Sequence, residues 1–420
     1  MRRTNDLGKD PVFPLVCRLA IPTMLAQMVS VLYSIVDRMY IGNIPEIGDL
    51  ALAGVGVCGP IVTLLGSFAT LVGLGGSPIL AMRMGEGNEK EARKVLSNSF
   101  LMLLVLSGVL TTLFLLLKGY LLMWFGASPA TFGYANTYLT IYTAGTFFAL
   151  MATGMNSFLI AQGFSGLGMA TVMLGAVLNI ALDPVFIFVF RLEIAGAAMA
   201  TALSNLVAFG YFVVIIARRR GETVITASPS LFIFAQGIPR EVCTVGLASA
   251  LMNLLGITSN TVLNNLMSSY SDAALAGMGI AKKIDMLTFA MSIGMTQGVI
   301  SLIGYNYSSK NYRRMLSAIK TVFVNAMVVA VVTTLFLFFC AAPVSRFFIE
   351  DAETVTYGHR FLRILCIICP MQAISMTVIT VFQAIGQKTR PMVLSLLRKG
   401  IVDIPIMFLL DRLIGVTGIA

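Results

Sequence analysis

The chain has 420 residues, of which 57% are hydrophobic and only 11% charged; an ordinary soluble domain carries about 25% charge. So much apolar surface with so little charge to cover it excludes a soluble enzyme, a disordered regulator and a coiled coil, and calls for a bilayer crossed several times. The net charge of +10 would suit nucleic acid in a soluble protein, but here the bases fall between apolar runs and form no aromatic-basic stripe, so no nucleic-acid partner is expected.

Taken in chain order, apolar stretches long enough for a membrane helix run over 14–41, 50–80, 95–117, 134–160, 168–190, 194–217, 241–268, 273–303, 319–342, 355–385 and 392–414. Their length, and the lack of ten-residue alternation, predicts helices and not barrel strands. Residues 1–10 are polar and the first apolar stretch exceeds a signal h-region, so no cleavable signal peptide is expected. Bases gather at Arg2, Arg3 and Lys9 and in 83–94, 218–220, 310–314 and 388–390, and thin out in 42–49, 118–133 and 191–193. The positive-inside rule then places the N-terminus in the cytoplasm. Segment 343–363, where Arg346, Arg360 and Arg363 accompany Glu350, Asp351 and Glu353, is placed outside.

The chain repeats itself. Ala51-Leu-Ala-Gly-Val-Gly-Val57 reads against Ala274-Leu-Ala-Gly-Met-Gly-Ile280 at an offset of 223. The same offset pairs Asn88 with Asn311, Ala161 and Gly163 with Ala384 and Gly386, and Met169 with Met392; a two-residue slip brings Pro184 onto Pro405. Two homologous halves are therefore expected, 1–217 and 237–420, joined by a basic cytoplasmic linker, 218–236. Six helices per half make them parallel repeats about an axis along the membrane normal. Gly196-Ala197-Ala198 opens the sixth span and Gly418-Ile419-Ala420 would open a twelfth, so the chain is expected to lack its twelfth helix.

Four acids lie inside apolar spans, Asp37, Asp183, Asp285 and Asp403, each costing about 2.5–3.5 kcal/mol to insert. A lone intramembrane acid serves structure as readily as function, but Asp37 and Asp183 agree in depth, about 6 Å and 10 Å from the outer ends of the first and fifth spans. Thr201, on the sixth, can share their layer. Tyr33 and Asp37, Asn179 and Asp183, and Ala197 and Thr201 are i,i+4 pairs, each on one helix face. Two carboxylates, an amide and a hydroxyl make a hard-oxygen cluster suited to a proton or Na⁺. In the second half the offset turns Asp37 into Asn260, while Lys282 and Lys283 beside Asp285, and Arg398 and Lys399 before Asp403, are expected to offset those acids. The C-terminal half is thus expected to shape the cavity more than to hold a coupling cation. Pro22, on the span of Asp37, is read as a hinge. The many methionines mildly favour an adaptable wall for varied ligands.

Other motifs are quiet. Gly54-Val-Gly-Val-Cys-Gly59 matches GxGxxG but follows no strand, so small residues for close helix packing is the better reading. Cys366 and Cys369 form a single CxxC inside an apolar run, read as buried packing residues. With one His, His359, no nucleophile–base pair and no Walker lysine, neither an enzyme nor an ATPase is expected, and no cofactor.

With these residues in view the sequence resembles the multidrug and toxic-compound extrusion (MATE) family, its DinF/MepA-like branch. The resemblance spans the chain and rests on the duplicated layout, on Pro22, Tyr33 and Asp37, on the repeats at 51–57 and 274–280, and on Asn179-Ile-Ala-Leu-Asp183-Pro184 followed by Gly196-Ala-Ala. It implies two six-helix lobes in a V around a central cleft, exporting amphipathic, cationic compounds in exchange for Na⁺ or H⁺, from a monomer in the inner membrane. It implies that Asp37, Asn179, Asp183 and Thr201 hold the cation, with the backbone carbonyl of Ala197, and that Tyr33, Tyr138 and Asn156 line the cavity. The glutamate of the NorM-like branch has no counterpart in the seventh span, which offers Asn253, Asn260, Asn264 and Asn265. The alternative within the same superfamily is a flippase of lipid-linked precursors, expected to carry more cationic residues in its cleft.

Overall fold

In the computed structural model the described residues are 5–219, 237–348 and 351–419, and among them the chain is helical throughout, with no strand. Most of the linker 218–236, together with Arg2, Arg3 and Glu350, lies outside the described residues. The first half comprises α1 (Val12–Gly42), α2 (Gly48–Gly85), α3 (Glu89–Trp124), α4 (Phe132–Ala144), α5 (Thr146–Ala161), α6 (Ser165–Pro184) and α7 (Glu193–Arg218). The second comprises α8 (Ile238–Ser268), α9 (Asp272–Ser308), α10 (Tyr312–Phe348), α11 (Ala352–Ala384), α12 (Thr389–Leu396), α13 (Asp403–Ile414) and the short α14 (Val416–Ile419). Among the described residues nine helices are long and apolar enough to cross a membrane, and the bent pair α4–α5 makes a tenth.

Two predicted spans are broken. The fourth kinks by 56° at Gly145. A Cβ there would sit 2.9 Å from that of Ala202, so the missing side chain lets the bend press onto α7. The eleventh divides into α12, a π-helical turn Leu397–Ile401 and α13. Another π turn, Val185–Val189, follows Pro184, whose ring cannot donate the next helical hydrogen bond.

The repeat is visible atom by atom. Asn88 and Asn311 each accept an amide hydrogen three residues on, from Glu91 (3.2 Å) and Arg314 (3.3 Å), and so cap α3 and α10 alike. Gly163 and Gly386 take left-handed φ values of 87° and 72° at matching turns. A Cβ on Gly54 would meet the Thr131 carbonyl, Tyr134 and Ala135; one on Gly277 would meet the Thr354 carbonyl, Tyr357 and Gly358, partner for partner at the same offset of 223. The glycines of the duplicated motif therefore serve helix crossing.

The halves meet through glycines. On α9, Gly294 and Gly298 form a GxxxG whose added Cβ atoms would lie 2.4 Å from Met24 Cα and 2.5 Å from the Leu19 carbonyl on α1. Gly75 on α2 and Gly246 on α8 clasp each other's helices in the same way. The hydrogen bonds and ion pairs between the halves run from the face bearing the N-terminus to mid-helix. Asn306 Nδ2 and Arg314 Nε both donate to the Leu7 carbonyl, Ser308 to Met82, Asn253 Nδ2 to Thr70 Oγ1 (3.3 Å) and Gln27 Nε2 to Gln297 Oε1 (3.3 Å). From there to the opposite face the described residues show no hydrogen bond between the halves. The cleft is thus sealed on the N-terminal face.

Candidate functional site: a paired-carboxylate cluster beside a cavity

Asp37 stands near the C-terminal end of α1, Asn179 and Asp183 one turn apart in the last part of α6, and Ala197 and Thr201 one turn apart near the start of α7. Gly196 makes the meeting possible: a Cβ there would lie 2.7 Å from the backbone of Phe186, so α7 touches the π turn directly. The Asp37 and Asp183 carboxylates lie within hydrogen-bonding reach of each other. Asn179 Nδ2 donates to Asp183 Oδ1 (3.4 Å) and to Thr201 Oγ1 (3.3 Å), and Thr201 Oγ1 donates to the Ala197 carbonyl (3.1 Å). Asp183 is completely buried, and Asp37 and Asn179 are 8% and 2% exposed.

Three buried oxygens of this cluster, Asp37 Oδ1, Asn179 Oδ1 and Asp183 Oδ2, have no hydrogen-bond partner. Unpaired buried acceptors are costly, and two carboxylates in contact in a low-dielectric setting repel unless a cation joins them. A shared proton, or Na⁺ held by hard oxygens, answers both needs, so the residues present fit either ion. Among the described residues no three His, Cys, Asp or Glu side chains converge as a metal site.

Below the cluster lies a cavity of about 220 Å³, lined mainly by the first half, with Gln297 of α9 also in its wall. Tyr33, Asn156, Asn179 and Thr201 line it. Tyr138 does not line it: it is buried against Tyr142, their rings stacked at 6.2 Å, close to Asp37. Pro22 sits inside an unbroken α1. Its ring frees the carbonyl of Arg18, which accepts a hydrogen bond from Ser165 Oγ of α6 (2.9 Å). A smaller cavity of about 70 Å³ lies in the second half and shares Thr70, Leu74 and Gln297 with the first.

Of the amides, the sequence pointed to Asn156, Asn179 and Asn253 and not to Gln27, Gln297 or Asn205. Gln27, Gln297, Asn205 and Asn253 line these cavities. The signal of the first three was faint, since neutral amides inside apolar spans stand out far less than charges. The second-half acids are only partly offset. Asp403 pairs with Lys399 (3.6 Å) and accepts from Ser259 Oγ (2.6 Å), whereas Asp285 accepts from Gln372 (3.4 Å) and Thr288 (3.5 Å). Cys366 and Cys369 are free, buried thiols.

The MatE family profile matches residues 22–185 and 248–409, once in each half. The chain belongs to the MatE family. It is accordingly a multi-pass membrane transporter and not an enzyme. It is 27% identical over 411 residues to the multidrug export protein MepA of Staphylococcus saprophyticus, covering 98% of this chain and 90% of that one. To MepA of Staphylococcus aureus it is 25% identical, with the same coverage. Its fold matches the outward-facing conformation of a multidrug resistance MATE family transporter of the MOP superfamily with a TM-score of 0.92, at 24% identity over 100% of this chain and 94% of that one.

Proposed function

We propose that this MatE transporter is a secondary antiporter of the inner membrane that exports amphipathic, cation-bearing compounds in exchange for Na⁺ or H⁺. Its lobes are 1–217 and 237–420, linked through 218–236, and it works as a monomer with a cytoplasmic N-terminus. On that orientation the sealed face is cytoplasmic and the conformer opens outward. The observation that carries the reading is the double use of Asn179 and Thr201, which bind within the carboxylate cluster and also form part of the cavity wall. A cation joining Asp37 to Asp183 draws on the Asn179 amide, and so alters the wall that a drug touches. The two ligands then favour different conformations, which is what coupling requires. Pro22, between the cluster and the sealed face, is where α1 bends, because no helical hydrogen bond opposes it.

The test is drug efflux from proteoliposomes under separately imposed Na⁺ and pH gradients. The driven component should vanish in Asp37→Asn while drug binding persists. Undiminished driven efflux in that variant would show that the cluster does not couple. Saturating flux that tracks the imposed gradient distinguishes an antiporter from a channel. A flippase of lipid-linked precursors draws support from Arg38 and Lys283, two exposed bases within electrostatic range of each other on α1 and α9, and requires movement of a polyprenyl-phosphate substrate in the same vesicles.

A further inference from the structure

The second half holds a charge cluster at the place where the first half holds its paired acids. The repeat sets Asn260 at the position of Asp37, and Asp403 close to that of Asp183. Around them α8, α9, α11, the π turn Leu397–Ile401 and α13 bring together three bases, Lys282, Arg398 and Lys399, and two acids, Asp285 and Asp403. Both acids are engaged: Asp403 by Lys399 and Ser259, Asp285 by Gln372 and Thr288.

Two bases are left over. Lys282 feels both acids electrostatically but forms no ion pair or hydrogen bond among the described residues. Arg398 stacks over the Phe289 ring at 5.3 Å, and its Nη1 is buried with no partner. A guanidinium nitrogen is a donor only, so an unpaired buried one lacks an acceptor. The π turn carrying Arg398 is a backbone irregularity of the kind that recurs at functional sites. One turn before Arg398, Ser395 lines the smaller cavity, which shares Thr70, Leu74 and Gln297 as walls with the larger one. The next base along α9, Lys283, is exposed and within electrostatic range of Arg38 on α1, whose charge also reaches Asp37. The first-half cluster thus pairs two acids with Arg38 at its edge, and the second-half cluster has more bases than acids.

We infer that the second-half cluster is a further ligand site of the cleft, in which Lys282 and Arg398 hold an anionic oxygen group, a carboxylate or a phosphate. The group is carried either by the transported molecule, which is then a zwitterion, or by the headgroup of an anionic lipid. The inference rests on the export reading and deepens it. The first half handles positive charge while the second receives the negative end of the same amphipath. Guanidinium binds such oxygens through paired charge-assisted hydrogen bonds, and removing one such donor weakens binding by about 10-fold or more.

The experiment measures equilibrium binding of two fluorescent probes to the full chain in phosphatidylcholine nanodiscs. Rhodamine B has a free carboxylate and is a zwitterion; rhodamine B ethyl ester has the same ring system and no carboxylate. The wild type should prefer the acid. Lys282→Gln and Arg398→Gln should each weaken the acid about 10-fold and leave the ester unchanged; retained ester binding certifies the fold. Arg398→Lys should keep much of the acid preference. A second arm adds phosphatidylglycerol and measures its enrichment over phosphatidylcholine around the purified protein. If wild type shows no acid preference but enriches phosphatidylglycerol, and Arg398→Gln abolishes the enrichment, the anion is a lipid headgroup. Equal loss of acid and ester in both Gln variants, or no response to them in either arm, overturns the inference. If wild type binds neither rhodamine and efflux is absent, the export reading itself falls and the inference falls with it.

Discussion

A single methyl group at Gly246 tests whether the α2–α8 crossing holds the cleft shut. The Cβ of Gly246→Ala would lie 1.8 Å from the Leu71 carbonyl oxygen and 2.7 Å from its carbon. Both atoms are helical backbone, so neither can rotate aside. Reaching an ordinary contact requires the crossing to widen by roughly 1.6 Å. Overpacking of this kind costs about 1–3 kcal/mol. Alanine also improves helix propensity by about 1 kcal/mol, but α8 is equally helical whichever way the cleft faces, so that gain cancels. The clash exists only while the N-terminal face is sealed. The equilibrium should therefore shift about 5- to 150-fold toward the conformer open on that face. Spin labels on the exposed Lys90 and Arg313, one on each half, read the change by pulsed electron resonance as a new, longer distance. Gly56→Ala is the control, because no atom lies within 4 Å of its Cβ. An unchanged distance distribution in Gly246→Ala, or the same shift in Gly56→Ala, would refute the reasoning.

Further expectations follow from individual bonds. Thr201→Val removes the acceptor of Asn179 Nδ2 and should raise the cation concentration that half-drives efflux by about 10-fold; an unchanged value in proteoliposomes counts against Thr201. Ser165→Ala leaves the Arg18 carbonyl beside Pro22 without its donor, and should lower stability by about 1 kcal/mol, read as a lower Tm in detergent, while Ser165→Thr should not. Arg314→Ala loses its bonds to the Leu7 and Asp10 carbonyls and should speed amide exchange over 7–10 without altering drug binding. Outside the spans, Asp351 caps α11 by accepting from the Thr354 amide (2.8 Å), and the Thr354 hydroxyl first, with that amide second, holds its carboxyl below the usual value of 3.8. Such a depressed carboxyl supports the first turn at pH above 3.8 and loses that support as the pH falls through its lower folded value. Protection of the Thr354 amide should follow that sign and become independent of pH in Asp351→Asn.

Apolar length and the offset of 223 were enough to lay out the spans, the two halves and the intramembrane acids, because the cost of exposing polar groups to lipid acts on each segment by itself. The i,i+4 spacing likewise placed Asn179 with Asp183, and Ala197 with Thr201, since one helix carries each pair. Everything that depends on how separate helices cross was decided in three dimensions. The kink at Gly145, the π turn bearing Arg398, and the inter-half contacts at Gly75, Gly246, Gly294 and Gly298 are matters of packing between segments far apart in the chain. Tyr33 stood one turn from Asp37 by its spacing alone, whereas only the packing of α4 against α2 and α7 buries Tyr138 near the same acid and away from the cavity. The same holds for Asn179 and Thr201, whose place in both the acid cluster and the cavity wall arises because Gly196 lets α7 touch the turn after Pro184. Proximity between helices is set by close contacts at a few small residues, whose spacing can be read along the chain but whose partner helices cannot.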